Sequence, residues 1–289
     1  MELDLVLDAH AEVGEGPAWD AAGRRLLWVD ITGSKVHIYN PLSGVDRSID
    51  VGQHVGAAAP RAAGGLMLAL RGSFGVLDLE SEAVSIVADT EAANPANRMN
   101  DGKCDRAGRF WAGSMNYAET GNEGSLYRLD HDHSVVRVLL GVGLSNGLGW
   151  SPDDRLMYHI DSLASTVSVY DFDAESGSIA NGRPLILVPA EHGVPDGMTV
   201  DAEGCLWVAF WGGGAVRRYA PDGSLMDEVR LPVRQVTSCS FGGEDQGDLY
   251  ITSATRGLSA GELAEQPGAG GVFRCRPGVT GPAADAYVD

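Results

Sequence analysis

Glu15 in GEGPAW, His54 in QHVGAA, Asn100 in RMNDGK, Asn146 in SNGLGW, Asp196 in PDGMTV and Thr237 or Ser238 in VTSCSF lie far apart in the sequence. Each nonetheless stands about a dozen residues before a recurring aromatic or apolar mark. Four of these six positions carry a carboxylate or a carboxamide. Glu15, Asn146 and Asp196 together offer two negative charges and several oxygen donors, with no thiolate or imidazole, which is the ligand set hard divalent cations prefer. A single Asn or Asp before Gly commonly caps a turn through backbone hydrogen bonds. Carboxylates brought to one point are a different matter, because without a counter-ion their repulsion and lost hydration are costly. The set predicts one oxygen-ligated divalent ion, and Zn²⁺, Ca²⁺, Mn²⁺, Mg²⁺ and Fe²⁺ are all compatible with the donors. His54, at the same level, either faces a bound molecule or is held in an internal hydrogen bond.

What brings these residues together is a repeat. A polar turn followed by an apolar-aromatic strand start recurs as DAAGRRLLWVD, RAAGGLMLAL, DRAGRFWAGSM, SPDDRLMYHID, DAEGCLWVAFW and EDQGDLYITSA. The anchors Trp28, Met67, Trp111, Tyr158, Trp207 and Tyr250 are spaced by roughly forty to fifty residues, the size of one four-stranded propeller blade. A second mark follows each anchor, reading KVHIYNPLSG, FGVLDLESE, GSLYRLDHDH, TVSVYDFDAESG, AVRRYAPDGS and GGVFRCRPGV, short strands that run into polar turns. Each unit exposes an apolar face that only its neighbours can cover, so the units must close into a ring. The expected fold is all-β, a six-bladed β-propeller of four-stranded antiparallel blades forming one domain over residues 1–289. Leu3 to Leu7 is expected to supply an outer strand to the last blade. The residues about a dozen before each anchor then begin the innermost strands, which line the channel.

Composition narrows the partners. A formal charge of −19 on 289 residues repels nucleic-acid phosphates and anionic lipid surfaces at long range, so neither nucleic acid nor membrane is an expected partner. The opening MELDLVLDAH lacks the basic region of a signal peptide, and no apolar run approaches spanning length; a soluble cytoplasmic protein is expected. Cys104, Cys205, Cys239 and Cys275 form no CxxC pair and read as buried reduced thiols.

Several blocks are long enough to carry a resemblance: GEGPAW, WVDI, RMNDGKCD, GRFWAGSM, SNGLGWS, GVPDGMTVDAEGCLWVA, SCSFGG and GLSAGELAEQPGAGGVF. End to end, the sequence resembles the regucalcin, gluconolactonase and senescence-marker group of six-bladed propellers. The resemblance implies a divalent ion held by Glu15, Asn146 and Asp196, the trio reached from repeat position, and a small sugar lactone as substrate. It also implies substrate contacts from Arg98 and Asn100, with Asp101 beside them. The family's further substrate-contacting Glu falls on Ala118 by direct count and on Glu119 if the loop slips by one residue.

Opening a lactone requires a polarised carbonyl and an activated water, and one metal with a neighbouring carboxylate supplies both. Asp196 is the candidate general base, and Trp19, Trp150 and Trp211 are candidate walls. Two rival readings follow from the same residues. Gly143 to Gly147 matches GxSxG, but a nucleophile elbow needs a helix after Ser145, and the residues that follow read as strand, turn and strand. The other rival, implied by the regucalcin name, is a non-catalytic calcium-binding protein. EF-hand loops are absent, since DFDAESGS lacks the sixth-place Gly and the twelfth-place Glu.

Overall fold

The turns that recur in the sequence are closed by side chains. Asp105 accepts from the Arg109 amide at 3.0 Å, from Arg109 Nε at 2.7 Å and from Trp111 Nε1 at 2.9 Å. Asp201 likewise accepts from the Cys205 amide and Trp207 Nε1, both at 2.9 Å. Asp20 holds the Gly23 amide, and Ser151 takes the Leu156 amide. One oxygen-bearing side chain at the end of an inner strand thus satisfies the turn's free N–H groups and fixes the anchor that follows.

The computed structural model describes residues 2–289. Six four-stranded antiparallel sheets follow one another, and the inner strands are Gly14–Asp20, Val55–Pro60, Asn97–Cys104, Ser145–Trp150, Val194–Val200 and Val236–Gly242. Each inner strand touches those of the blades before and after it, and the sixth touches the first, which closes a six-bladed β-propeller. All six anchors lie on second strands and are essentially inaccessible to solvent. Six apolar clusters form, one for each seam between blades; Trp111, Leu126, Leu148 and Met157, for example, join blades three and four. Stability is therefore shared between neighbours, as in other repeat architectures.

Leu3–Leu7 pairs antiparallel with Val272–Cys275, placing Leu3 opposite Cys275 and Leu5 opposite Phe273. The chain's first strand thus becomes the outer strand of its last blade. All four cysteines are free and buried. Among the described residues helix is confined to a turn at Ala190–His192 and to Ala260–Glu265, the latter started by a Ser259–Glu262 capping box. No helix among the described residues is long and apolar enough to cross a membrane. The segment after Cys275 crosses the far end of the ring, with the Ala284 amide on Trp19 O, the Tyr287 amide on Pro60 O and the Val288 amide on Gly108 O.

Candidate functional site at the channel mouth

Every inner strand breaks register at the same level, between Glu15 and Ala18, Val55 and Ala57, Met99 and Gly102, Ser145 and Leu148, Pro195 and Met198, and Val236 and Ser238. A bulge of this kind inserts a residue and re-aims its side chain. The sequence shows its cause, since Glu15, Asp101, Asn146 and Asp196 are each followed by Gly. A Cβ at Gly197 would collide with the Ser238 side chain of the next blade, and one at Gly56 with the Asn100 carbonyl. The inner strands can approach this closely only because glycine stands there.

The bulges bring Glu15, Asn146 and Asp196 from blades one, four and five to one cavity of about 420 Å³. All three are buried. Glu15 Oε2 accepts from the Gly16 amide at 2.7 Å. The Asn146 amide nitrogen donates to Asp196 Oδ1 and, at 3.1 Å, to Ser162 Oγ, whose hydroxyl in turn donates to Pro195 O at 2.7 Å. That network fixes the amide's orientation and leaves Asn146 Oδ1 buried with no partner. Burial pushes both Glu15 and Asp196 above the usual carboxylate range; the Asp196 charge raises Glu15 further, and the negative field of Asp101 raises both. Two carboxylates that resist ionising together, beside an amide oxygen with nothing to bind, fit an oxygen-ligated cation. No cluster of three His, Cys, Asp or Glu side chains with metal-binding geometry occurs among the described residues; the third donor of this trio is an amide.

Arg98, Asn100 and Glu119 line the same cavity. Arg98 Nη1 donates to Asn100 Oδ1 at 2.7 Å and to Met99 O at 3.0 Å, and Asn100 Nδ2 donates to Ser145 O at 3.0 Å. Burial lowers Arg98 to about 10, which keeps it cationic at neutral pH. Its Nε is buried and unpartnered. Of the two alternatives in the third blade's loop, Glu119 reaches the cavity, whereas the Ala118 amide is tied to Asn116 Oδ1.

Other sequence expectations need correction. Asp101 lines a separate interior cavity of about 60 Å³ with Lys103 and Asp285, away from the mouth. The bulge between Met99 and Gly102 is the reason, because it sends Asn100 and Asp101 in different directions. Trp19 stacks on Tyr250 at 5.7 Å, and Trp150 packs edge-on to Trp111 at 5.9 Å, so of the three tryptophans Trp211 is the one that walls the cavity. His54 precedes its strand by one residue and bonds the Tyr117 hydroxyl at 2.9 Å. Ser145 Oγ does meet His159 Nε2 at 2.8 Å. Both are buried, the chain runs on into strand Leu156–Asp161 with no helix, and Ser145 packs against Gly113 of blade three, so no substrate reaches it. Arg256 was not legible in the sequence: it lines the cavity from a loop outside the repeat.

The fold and site define a six-bladed propeller with a cluster of buried carboxylate and carboxamide oxygens at the mouth of its channel. Residues 13–255 match the sequence profile of the SMP-30/Gluconolactonase/LRE-like region, and the chain belongs to that family. It is 43% identical over 277 residues to regucalcin of Danio rerio, covering 95% of this chain and 94% of the relative. It is 38% identical over 274 residues, 94% of each chain, to a Bacillus subtilis protein named for sugar lactone lactonase activity. Among solved structures, a regucalcin from Agrobacterium tumefaciens, described as a calcium-binding protein, superposes with a TM-score of 0.94 at 27% identity, covering 98% of this chain and 96% of that one.

Proposed function

We propose that the chain is a divalent-metal-dependent lactonase that opens a sugar lactone, such as gluconolactone or xylonolactone, to the aldonic acid. The observation that carries this reading is the pairing of two buried carboxylates and an unpartnered amide oxygen with a cavity wall that presents Arg98 and Glu119. The Bacillus subtilis relative, by its name, supports the same class of reaction. Held by Glu15, Asn146 and Asp196, a divalent ion would supply Lewis acidity toward the ester carbonyl and make a water acidic.

The chain's own residues do the rest. Asp196 is the general base that takes the proton of the attacking water; the Asn146 amide engages one of its oxygens and fixes its direction. Arg98, pinned by Asn100 and Met99 O, presents its free Nε–H as a donor to a ring oxygen. Glu119 accepts from hydroxyls. Leu144, Leu163, Val194 and Trp211 form an apolar wall that packs against the C–H face of the ring and keeps water from that side. A wall that sets donors and acceptors beside an apolar face suits a polyol ring better than an alkyl ester. The four reduced thiols suit a cytoplasmic setting.

Asp196→Ala removes the base and one ligand together, so metal-dependent lactone opening should be lost while the β-sheet circular dichroism stays unchanged. Full activity in that folded variant would refute the mechanism. Calcium binding without turnover is the second reading, favoured by the description of the Agrobacterium tumefaciens relative. It predicts tight cation binding with no rate above spontaneous hydrolysis for any aldonolactone.

A further inference from the structure

Arg256 is a charge at the mouth that the mechanism above does not use. Its backbone N–H donates to Glu12 O at 3.0 Å, which anchors the residue beside the entry to blade one. Its guanidinium lies 3.5 Å from the carboxylate of Glu119. Arg256 sits between the second and third strands of blade six, and Glu119 between the second and third strands of blade three. In a closed ring of six, blades three and six face each other, so this ion pair spans the channel mouth, and both partners line the cavity above Glu15, Asn146 and Asp196.

Glu119 has little else to direct it. Its amide is held by Asn116 O at 3.0 Å, and its backbone is left-handed at φ 54, but among the described residues its carboxylate has no ion pair or hydrogen bond other than the pair with Arg256. A half-exposed carboxylate on a loop ordinarily turns toward water. The guanidinium from the opposite blade turns it inward instead, while the buried Arg98, whose Nε has no partner, faces the same space.

We propose that Arg256 is a positioning residue for this site: it holds the Glu119 carboxylate over the cavity, where that carboxylate receives the substrate's hydroxyl hydrogen bonds. The identity of the substrate rests on the lactonase reading; the positioning itself does not. Both partners are partly exposed, and such pairs are worth little in isolation, so the expected effect is on binding and is modest, about two- to fivefold.

The test uses Arg256→Gln, Arg256→Lys and Glu119→Gln, with D-glucono-1,5-lactone and the hydroxyl-free δ-valerolactone as probes. Arg256→Gln should raise KM for gluconolactone by about two- to fivefold with kcat little changed. Arg256→Lys should restore it, δ-valerolactone should show no difference, and adding Arg256→Gln to Glu119→Gln should do nothing further. Hydrogen exchange, measured with no substrate present, should be faster at residues 118–122 in Arg256→Gln than in the wild type. An equal KM effect on δ-valerolactone, or an effect that persists in the Glu119→Gln background, would overturn the proposal. If the wild type opens no lactone at all, the lactonase reading fails alone, and exchange still decides: acceleration supports the positioning role, and unchanged protection overturns it.

Discussion

His159 is a buried titratable group near the site that takes no part in the proposed chemistry, and it makes a quantitative prediction. Burial lowers it from the ordinary 6.5 to about 4, against a smaller opposing pull from Asp161. In the unfolded chain the imidazole takes a proton as pH falls through about 6.5, while in the folded chain it resists until about 4. Between those values the unfolded state binds more protons, so stability is complete above about 6.5 and falls as pH drops toward about 4. The gap corresponds to about 3 kcal/mol. His159→Gln keeps a donor and acceptor for Ser145 but cannot charge. Unfolding free energies from urea titrations, measured for both proteins from pH 8 to pH 4, should differ by a constant above about pH 7, and the difference should then shift by about 3 kcal/mol in the variant's favour. Parallel curves across the whole range would refute the reasoning. The same variant tests the serine-hydrolase rival, because a Ser145–His159 nucleophile requires the imidazole and the proposed mechanism does not. Lactone opening at neutral pH should survive in His159→Gln.

Two further perturbations address the site and the ring. Glu15→Gln removes one of two buried carboxylates that repel each other, so metal-stripped protein should become more stable by about 1 kcal/mol at neutral pH while divalent-ion affinity falls by tenfold or more; thermal melts with and without added cation check both signs. Tyr287 is fully buried beneath the ring and donates its hydroxyl to Asp130 O at 2.8 Å. Tyr287→Ala should therefore cost about 3 kcal/mol in chemical denaturation, with the cation site intact.

The blades were legible because their turns and second strands repeat a physical requirement: an oxygen acceptor such as Asp105 or Asp201 to close the turn, then a buried anchor such as Trp111 or Trp207. Outer strands left no such mark. Val45–Asp50, with Asp46, Arg47 and Ser48 on a mostly solvated edge, needs no apolar alternation. Glu15, Asn146 and Asp196 were reachable because they hold equivalent places in the repeat. The bulge that re-aims each of them was readable only as a Gly after the donor, and it decides what spacing cannot, namely that Asn100 faces the mouth and Asp101 the interior. Residue type did not show which end of an inner strand a tryptophan occupies, so Trp19 and Trp150 went to the seams between blades. Arg256 comes from a long connection between second and third strands that carries none of the repeated sequence marks, and only the closed ring sets it opposite Glu119.

A cation at Glu15, Asn146 and Asp196 is proposed to make this propeller a lactonase. The most direct test of that role is the initial rate of opening of gluconolactone and xylonolactone, corrected for spontaneous hydrolysis, on metal-stripped protein and after adding back Zn²⁺, Mn²⁺, Mg²⁺, Fe²⁺ or Ca²⁺ singly. The stripped protein should show only the background rate, with saturable recovery on adding at least one ion. Equal rates with and without metal, or tight ion binding with no turnover of either lactone, would contradict it.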